Sequence, residues 1–150
     1  MQPLYLLDTN IISELNAPHP NQNVLARLTE YKTMSCTCSV VFDELLFGAK
    51  RLKTGKRRSD LMHFYIDYLQ TAFNIIPFDH HASWINSDLS ERLEAIGKPA
   101  PRMDSMIAAT AIANNLVLVT RNTKDFEAIQ EVSPLMVENW FMKGGTTSES

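Results

Sequence analysis

The chain holds only two cysteines, Cys36 and Cys38, with a single residue between them. A disulfide scaffold is thereby excluded. A zinc site would need a second Cys or His pair at ligand spacing, which His19, His63, His80 and His81 do not supply. Long apolar runs are missing as well: none approaches the roughly 18 residues that a membrane-spanning helix requires. The N-terminus lacks the pattern of a secretion signal, a basic start followed by an apolar stretch and a small-residue cleavage site, so a cytoplasmic protein is expected. Excess positive charge is also absent, and a net charge of −3 argues against a general nucleic-acid coat.

What is present points to one folded domain. A hydrophobic fraction of 45% with 21% charged residues is that of a globular chain rather than a disordered one. At 150 residues the chain can bury a core without a disulfide or structural metal. The positive charge it has is concentrated. Lys50, Arg51, Lys53, Lys56, Arg57 and Arg58 form a basic run that has two readings, a contact for RNA phosphates or a solvated helix end and loop.

Apolar periodicity gives alternating strands and helices. Leu4–Leu7 reads as a strand and Asn10–Leu15 as a short helix, before Ala17-Pro18-His19-Pro20 breaks the chain. Val24, Leu25, Leu28 and Tyr31 recur at helical spacing. A second strand near Met34–Ser39 would send Met34, Cys36, Cys38 and Val40 to one face, the thiols buried and reduced. A helix from Val40 to Leu52 carries Val41, Leu45 and Leu52 on one stripe, with Val40, Glu44 and Phe47 beside it. Ser59 is placed to cap a helix bearing Leu61, Phe64, Tyr65, Tyr68 and Leu69, the aromatics serving a core or a dimer interface.

Asn74–Phe78 reads as a third strand, and Asp79 as the cap of a helix with Ile85, Leu89, Leu93 and Ile96 that ends at Gly97. Pro99 and Pro101 stiffen the approach to Asp104, which opens an Ala-rich helix. Leu116–Thr120, apolar almost throughout, has the composition of a central parallel strand. A short helix near Lys124–Ile129 and a last strand near Leu135–Val137 follow. The pattern predicts an α/β fold, a three-layer α/β/α sandwich around a mainly parallel sheet, over residues 1–142, with a flexible Gly/Ser/Thr-rich tail over 143–150.

Three acids stand beside these core segments. Asp8 ends the first strand, Glu44 interrupts an apolar helix and Asp104 begins another. Carboxylates gathered at one sheet edge repel unless a cation compensates, and an oxygen-only ligand set selects Mg²⁺ or Mn²⁺ over zinc or copper. Each acid also has a structural reading. Asp8 starts an Asx-turn, Asp104 complements a helix dipole, and Glu44 pairs with a nearby Lys or Arg.

In linear order, Leu6–Leu15, Ser39–Gly48, Asp104–Ala111 and Leu118–Phe126 resemble the four sequence blocks of the PIN domain, and within it the VapC-type toxins of bacterial toxin–antitoxin pairs. The resemblance implies a Mg²⁺-dependent endoribonuclease, Mn²⁺ substituting, that hydrolyses RNA through an activated water. It further implies a homodimer that joins a cognate VapB-type antitoxin. By motif position Asp8, Glu44 and Asp104 are its acids, with Asp8 and Asp104 the metal ligands. Its fourth position falls on Asn122, an uncharged ligand where an acid is common, and Asp125 is the alternative. Thr9, Asn10 and Thr120 would orient carboxylates or water. A PIN nuclease of RNA processing, or a catalytically weak metal- or RNA-binding module, are the competing expectations.

Overall fold

The computed structural model describes residues 3–143. Strand β1 (Tyr5–Leu7) occupies the middle of a five-stranded sheet of order β3-β2-β1-β4-β5, with β2 (Ser35–Cys38), β3 (Ile75–Ile76), β4 (Val117–Val119) and β5 (Met136–Glu138). Every pairing is parallel. The expected tail over 143–150 lies outside the described residues apart from Lys143.

The central strands β1, β2 and β4 are largely buried on both faces, whereas β3 is half-buried and β5 exposes Met136. Leu6 and Leu7 of β1, Leu118 and Val119 of β4 and all four residues of β2 are buried. The expected one-sided alternation in β2 is therefore corrected. Ser35 and Thr37 also face a covered side, and their hydroxyls stay satisfied by donating to the carbonyls of Tyr31 at 2.8 Å and Leu7 at 2.9 Å. Burial pushes the Cys36 thiol up to about 12 and that of Cys38 up to about 11, so both stay protonated and packed.

Helices α1 (Thr9–Leu15), α2 (Gln22–Tyr31) and α3 (Ser39–Lys50) connect the first strands. The buried stripe of α3 is Val40, Val41, Leu45 and Ala49; Leu52 and Phe47, expected on or beside it, are exposed. Helix α4 (Lys56–His63) starts three residues before Ser59, because Gly55 adopts a φ of +155° that admits the chain and Ser59 N–H already donates to the Gly55 carbonyl. It widens into a π-helix over Phe64–Leu69 before a last turn, α5 (Gln70–Ala72). That geometry stacks Phe64 on Tyr68 with centroids 5.2 Å apart, while Tyr65 turns into the core. Of the aromatics grouped by spacing, one is core and Tyr68 is exposed.

The long helix α6 (His80–Ala95) has both expected caps. Asp79 accepts from Ala82 N–H at 3.0 Å, and Gly97 at φ +70° closes a Schellman turn in which Lys98 N–H donates to Leu93 and Gly97 N–H to Glu94. Helix α7 (Arg102–Ala113) ends in the same way with Asn115 at φ 55° in the left-handed position, which turns the chain directly into β4. A 3₁₀ turn (Thr123–Phe126) and α8 (Glu127–Val132) lead to β5.

Beyond β5, Trp140 is fully buried, with its ring 5.2 Å from Tyr5 and 6.1 Å from Tyr31, and its indole N–H donates to Glu138 at 3.0 Å. The C-terminal strand is thereby fastened to the opposite end of the chain. Trp140→Ala is expected to cost about 3–5 kcal/mol in urea denaturation, as large-to-small replacement of a buried aromatic does.

Candidate active site

The chain builds β1, moves outward to β2 and β3, then returns across the sheet to place β4 on the other side of β1. The crevice between the C-terminal ends of β1 and β4 is thus the topological switch point, where open α/β sheets hold ligands. Asp8 follows β1 and Thr120 follows β4 at that position. Asp8 N–H continues the ladder by donating to Val119 at 2.9 Å, so its carboxylate is aimed by the sheet itself.

That carboxylate is buried and surrounded by donors. Thr120 Oγ1 donates to Oδ2 at 2.8 Å, Thr9 N–H to Oδ1 at 2.8 Å, and Asn10 Nδ2 to Oδ2 at 3.4 Å. Asn10 also donates to Thr120 Oγ1 at 3.1 Å and accepts from Arg121 N–H at 2.8 Å, while Asn122 N–H donates to Thr120 Oγ1 at 3.1 Å. Thr9 Oγ1 reaches across to Glu44 Oε1 at 2.9 Å. The three polar residues expected to orient the acids do so, tying β1, β4, α1 and α3 into one network.

Asp8, Glu44, Asp104 and Asn122 line one open cleft of about 460 Å³, together with Thr9, Asn10, Ser13, Glu14, Arg121 and Phe141. Asp125 is not part of its wall, yet its charge acts on Asp104. Past Glu44 the surface continues into a groove formed by Asp43, Phe47, Gly48, Arg51 and Met103. Of the basic run, Arg51 lines this groove.

Four wall residues were not anticipated from the sequence. Ser13 and Glu14 lie three and four residues after Asn10, so helical periodicity from that residue would have found them. Arg121 directly follows Thr120. Phe141 had no signal, because its place depends on Asn23 Nδ2 donating to its carbonyl at 3.0 Å.

The electrostatics of the cleft are those of uncompensated negative charge. Burial raises the pKa of Asp8 against the lowering effect of its three donors. Burial also raises Glu44, with Asp8 and Asp43 adding to it while the Thr9 bond opposes. For Asp104, burial and then the charges of Asp8, Asp125 and Glu44 push it up to about 6. Among the described residues none of the three forms an ion pair with lysine or arginine.

The donor chemistry fits a hard divalent cation. The side-chain donors of Asp8, Glu44 and Asp104 are oxygens, and among the described residues none of them pairs with a cation. Among the described residues, no three acidic, histidine or cysteine side chains form a preformed cage. An ion such as Mg²⁺ keeps several waters and needs only one or two carboxylates, which Asp8 and Asp104 could supply.

These shifts have a consequence for stability. A carboxyl whose folded pKa lies above its unfolded value holds more protons when folded, so stability falls as pH rises between the two. For Asp104 the window runs from 3.8 to about 6, and Asp8 and Glu44 act in the same direction. In metal-free buffer, Asp104→Asn should melt higher than the wild type near neutral pH, and the gap should close as pH falls through that window. Equal melting curves at both ends would contradict this electrostatic account.

Comparison with known proteins agrees with the fold. The model of the PIN domain family matches residues 5–132. The VapC ribonuclease Y4jK of Sinorhizobium fredii is 34% identical over 128 residues, covering 83% of this chain and 91% of the relative. Among solved structures, FitAcB from Neisseria gonorrhoeae superposes with a TM-score of 0.82 at 30% identity, covering 92% of this chain and 99% of the other. VapBC2 from Rickettsia felis, bound to a DNA fragment from their promoter, gives 0.76 at 27%, covering 93% and 99%. With the family match spanning most of its length and a parallel sheet of the same architecture, the chain belongs to the PIN domain family.

Proposed function

We propose that the chain is a Mg²⁺-dependent endoribonuclease acting as the toxin of a type II toxin–antitoxin pair. The observation that carries this reading is the convergence, at the sheet's switch point, of three carboxylates from β1, α3 and α7 without a cationic partner among the described residues. The three acids would repel a phosphodiester at the point where they converge unless a cation offset their charge.

Asp8 and Asp104 would hold the ion, Mg²⁺ or in its place Mn²⁺. Once bound, it supplies a Lewis acid that polarises the phosphoryl oxygen and lowers the pKa of the attacking water. Glu44 completes the site from α3. Its Oε1 is held by Thr9, and among the described residues Oε2 has no partner, which leaves that oxygen to take a proton from water. Thr120, Thr9 and Asn10 keep the Asp8 carboxylate fixed, so its geometry is set before the substrate arrives. Asn122 contributes a neutral amide oxygen where a further acid would favour a second ion, so one firmly held ion is the expected state.

The partners follow from the same reading. The VapBC2 structure supports a VapB-type antitoxin as the partner of this chain, and exposed Phe47 and Met103 are available to a homodimer contact. A bacterial cytoplasm, where RNA and antitoxin occur together, is the matching location.

Asn122 favours one alternative, a metal- or RNA-binding module with weak catalysis. Asp8→Asn and Asp104→Asn are expected to lower Mg²⁺-stimulated cleavage of bulk bacterial RNA by about a hundredfold or more and to relieve growth arrest, while retaining cooperative unfolding. Undiminished cleavage by both variants would refute the site. A wild-type chain that binds RNA but shows no turnover on Mg²⁺ or Mn²⁺ titration would establish the binding module instead.

A further inference from the structure

One wall of the cleft is built around a cation that the carboxylate chemistry does not use. Arg121 shares the cleft with Asp8, Glu44 and Asp104, yet among the described residues it pairs with no acid. None of the three acids is drawn down by its charge. Its guanidinium lies instead over the Phe141 ring, 4.7 Å from the centroid.

Both members of this pair are anchored. Arg121 N–H donates to Asn10 Oδ1 at 2.8 Å, and Asn10 in turn contacts Asp8 and Thr120, so the residue is positioned by the network that fixes the first carboxylate. Phe141 N–H donates to Asn139 Oδ1 at 2.9 Å, its carbonyl accepts from Asn23 at 3.0 Å, and it follows the buried Trp140. Arg51 in the adjoining groove differs. It sits 5.6 Å over Phe47, which is 61% exposed, and shows no tie to the carboxylate network.

A guanidinium stacked by one face on an aromatic ring keeps its in-plane N–H groups free, and their fork matches two phosphate oxygens. Lysine would supply charge without the fork or the stack. Within a cleft otherwise lined by acids, such a group is suited to an anion carried by the ligand.

We propose that Arg121, shelved on Phe141, binds a phosphate of the RNA strand beside the scissile bond and so fixes the strand's position over the carboxylates. This rests on the nuclease reading above and adds a substrate-binding residue to it.

The test measures RNA affinity apart from turnover. Binding of a short fluorescein-labelled oligoribonucleotide would be followed by anisotropy across a salt series, with Ca²⁺ replacing Mg²⁺, for the wild type, R121K, R121A and F141L. Cleavage of bulk bacterial RNA in Mg²⁺ would give KM, kcat and the pH profile. R121A is expected to bind about tenfold more weakly, as loss of one charge-assisted contact implies. It should also reduce the slope of log affinity against log salt by about 0.7, the share of one single-strand phosphate.

R121K should fall between R121A and the wild type because it keeps the charge alone. F141L, which retains apolar bulk but not the stacking face, should weaken binding in the same direction. KM should rise with little change in kcat or in the pH profile. If the wild type cleaves RNA while R121A matches its affinity, salt slope and KM, this inference fails and the nuclease reading stands. A displaced pH profile at unchanged KM would likewise overturn it, because Arg121 would then act through the acids. If the wild type neither binds nor cleaves, both fall.

Discussion

The carboxylate of Asp8 is buried at the point where the sheet reverses its direction of growth, and much of the local structure exists to hold it there. An ion of this kind loses several kcal/mol of hydration on burial unless its oxygens find donors. Thr9, Asn10 and Thr120 supply them from two different strand ends. Each donor has a second task. Thr9 fixes Glu44, Thr120 receives the Asn122 amide, and Asn10 locates Arg121. Solvating one acid thus also helps to place Glu44, Asn122 and Arg121.

Those hydrogen bonds oppose the effect of burial on Asp8 but do not cancel it, since its pKa remains raised. Asp104 and Glu44 carry the same excess, mainly from burial and partly from the charge of Asp8. The fold therefore keeps negative charge that disfavours its own stability, a common cost of functional sites. A ligand that binds only the folded state returns stability in proportion to its concentration over its dissociation constant. A cation held by these three acids would therefore stabilise the folded chain.

Sequence patterning reached the architecture because its signals were local. The continuous apolar run at Leu116–Val119, the Asp79 cap and the Gly97 stop each depend on a few neighbouring residues, and each stands where expected. The α3 helix was harder to place on its axis: periodicity put Leu52 and Phe47 with the core, whereas tertiary packing buries Ala49 and leaves both of them exposed. Ser59 failed as a cap because the permissive φ of Gly55 let the helix begin earlier, a backbone property that a preference for serine caps does not register. Among cleft residues, Asp8, Glu44, Asp104 and Asn122 were legible through their motif order. Phe141 was not, since hydrogen bonds to residues as distant in sequence as Asn23 decide its position.

The cleft has a direction that the motif order alone does not convey. Glu44 is shared between the acid-lined cleft and a groove bearing exposed Phe47, Met103 and Arg51, whereas Arg121 and Phe141 stand in the cleft wall anchored to the Asp8 network and to the buried end of the chain. Guanidinium–aromatic pairs thus occur on both sides, but only Arg121 and Phe141 have their backbone bonded to the Asp8 network or to the buried end of the chain. A flexible strand gains most from a fixed contact, since ordering it costs entropy that a preset partner does not add to. On the proposed reading, the Arg121–Phe141 pair would define where an RNA strand lies over the carboxylates. Asn122, neutral and next to Arg121, keeps the anchored side free of a further carboxylate that would compete with a phosphate for that guanidinium.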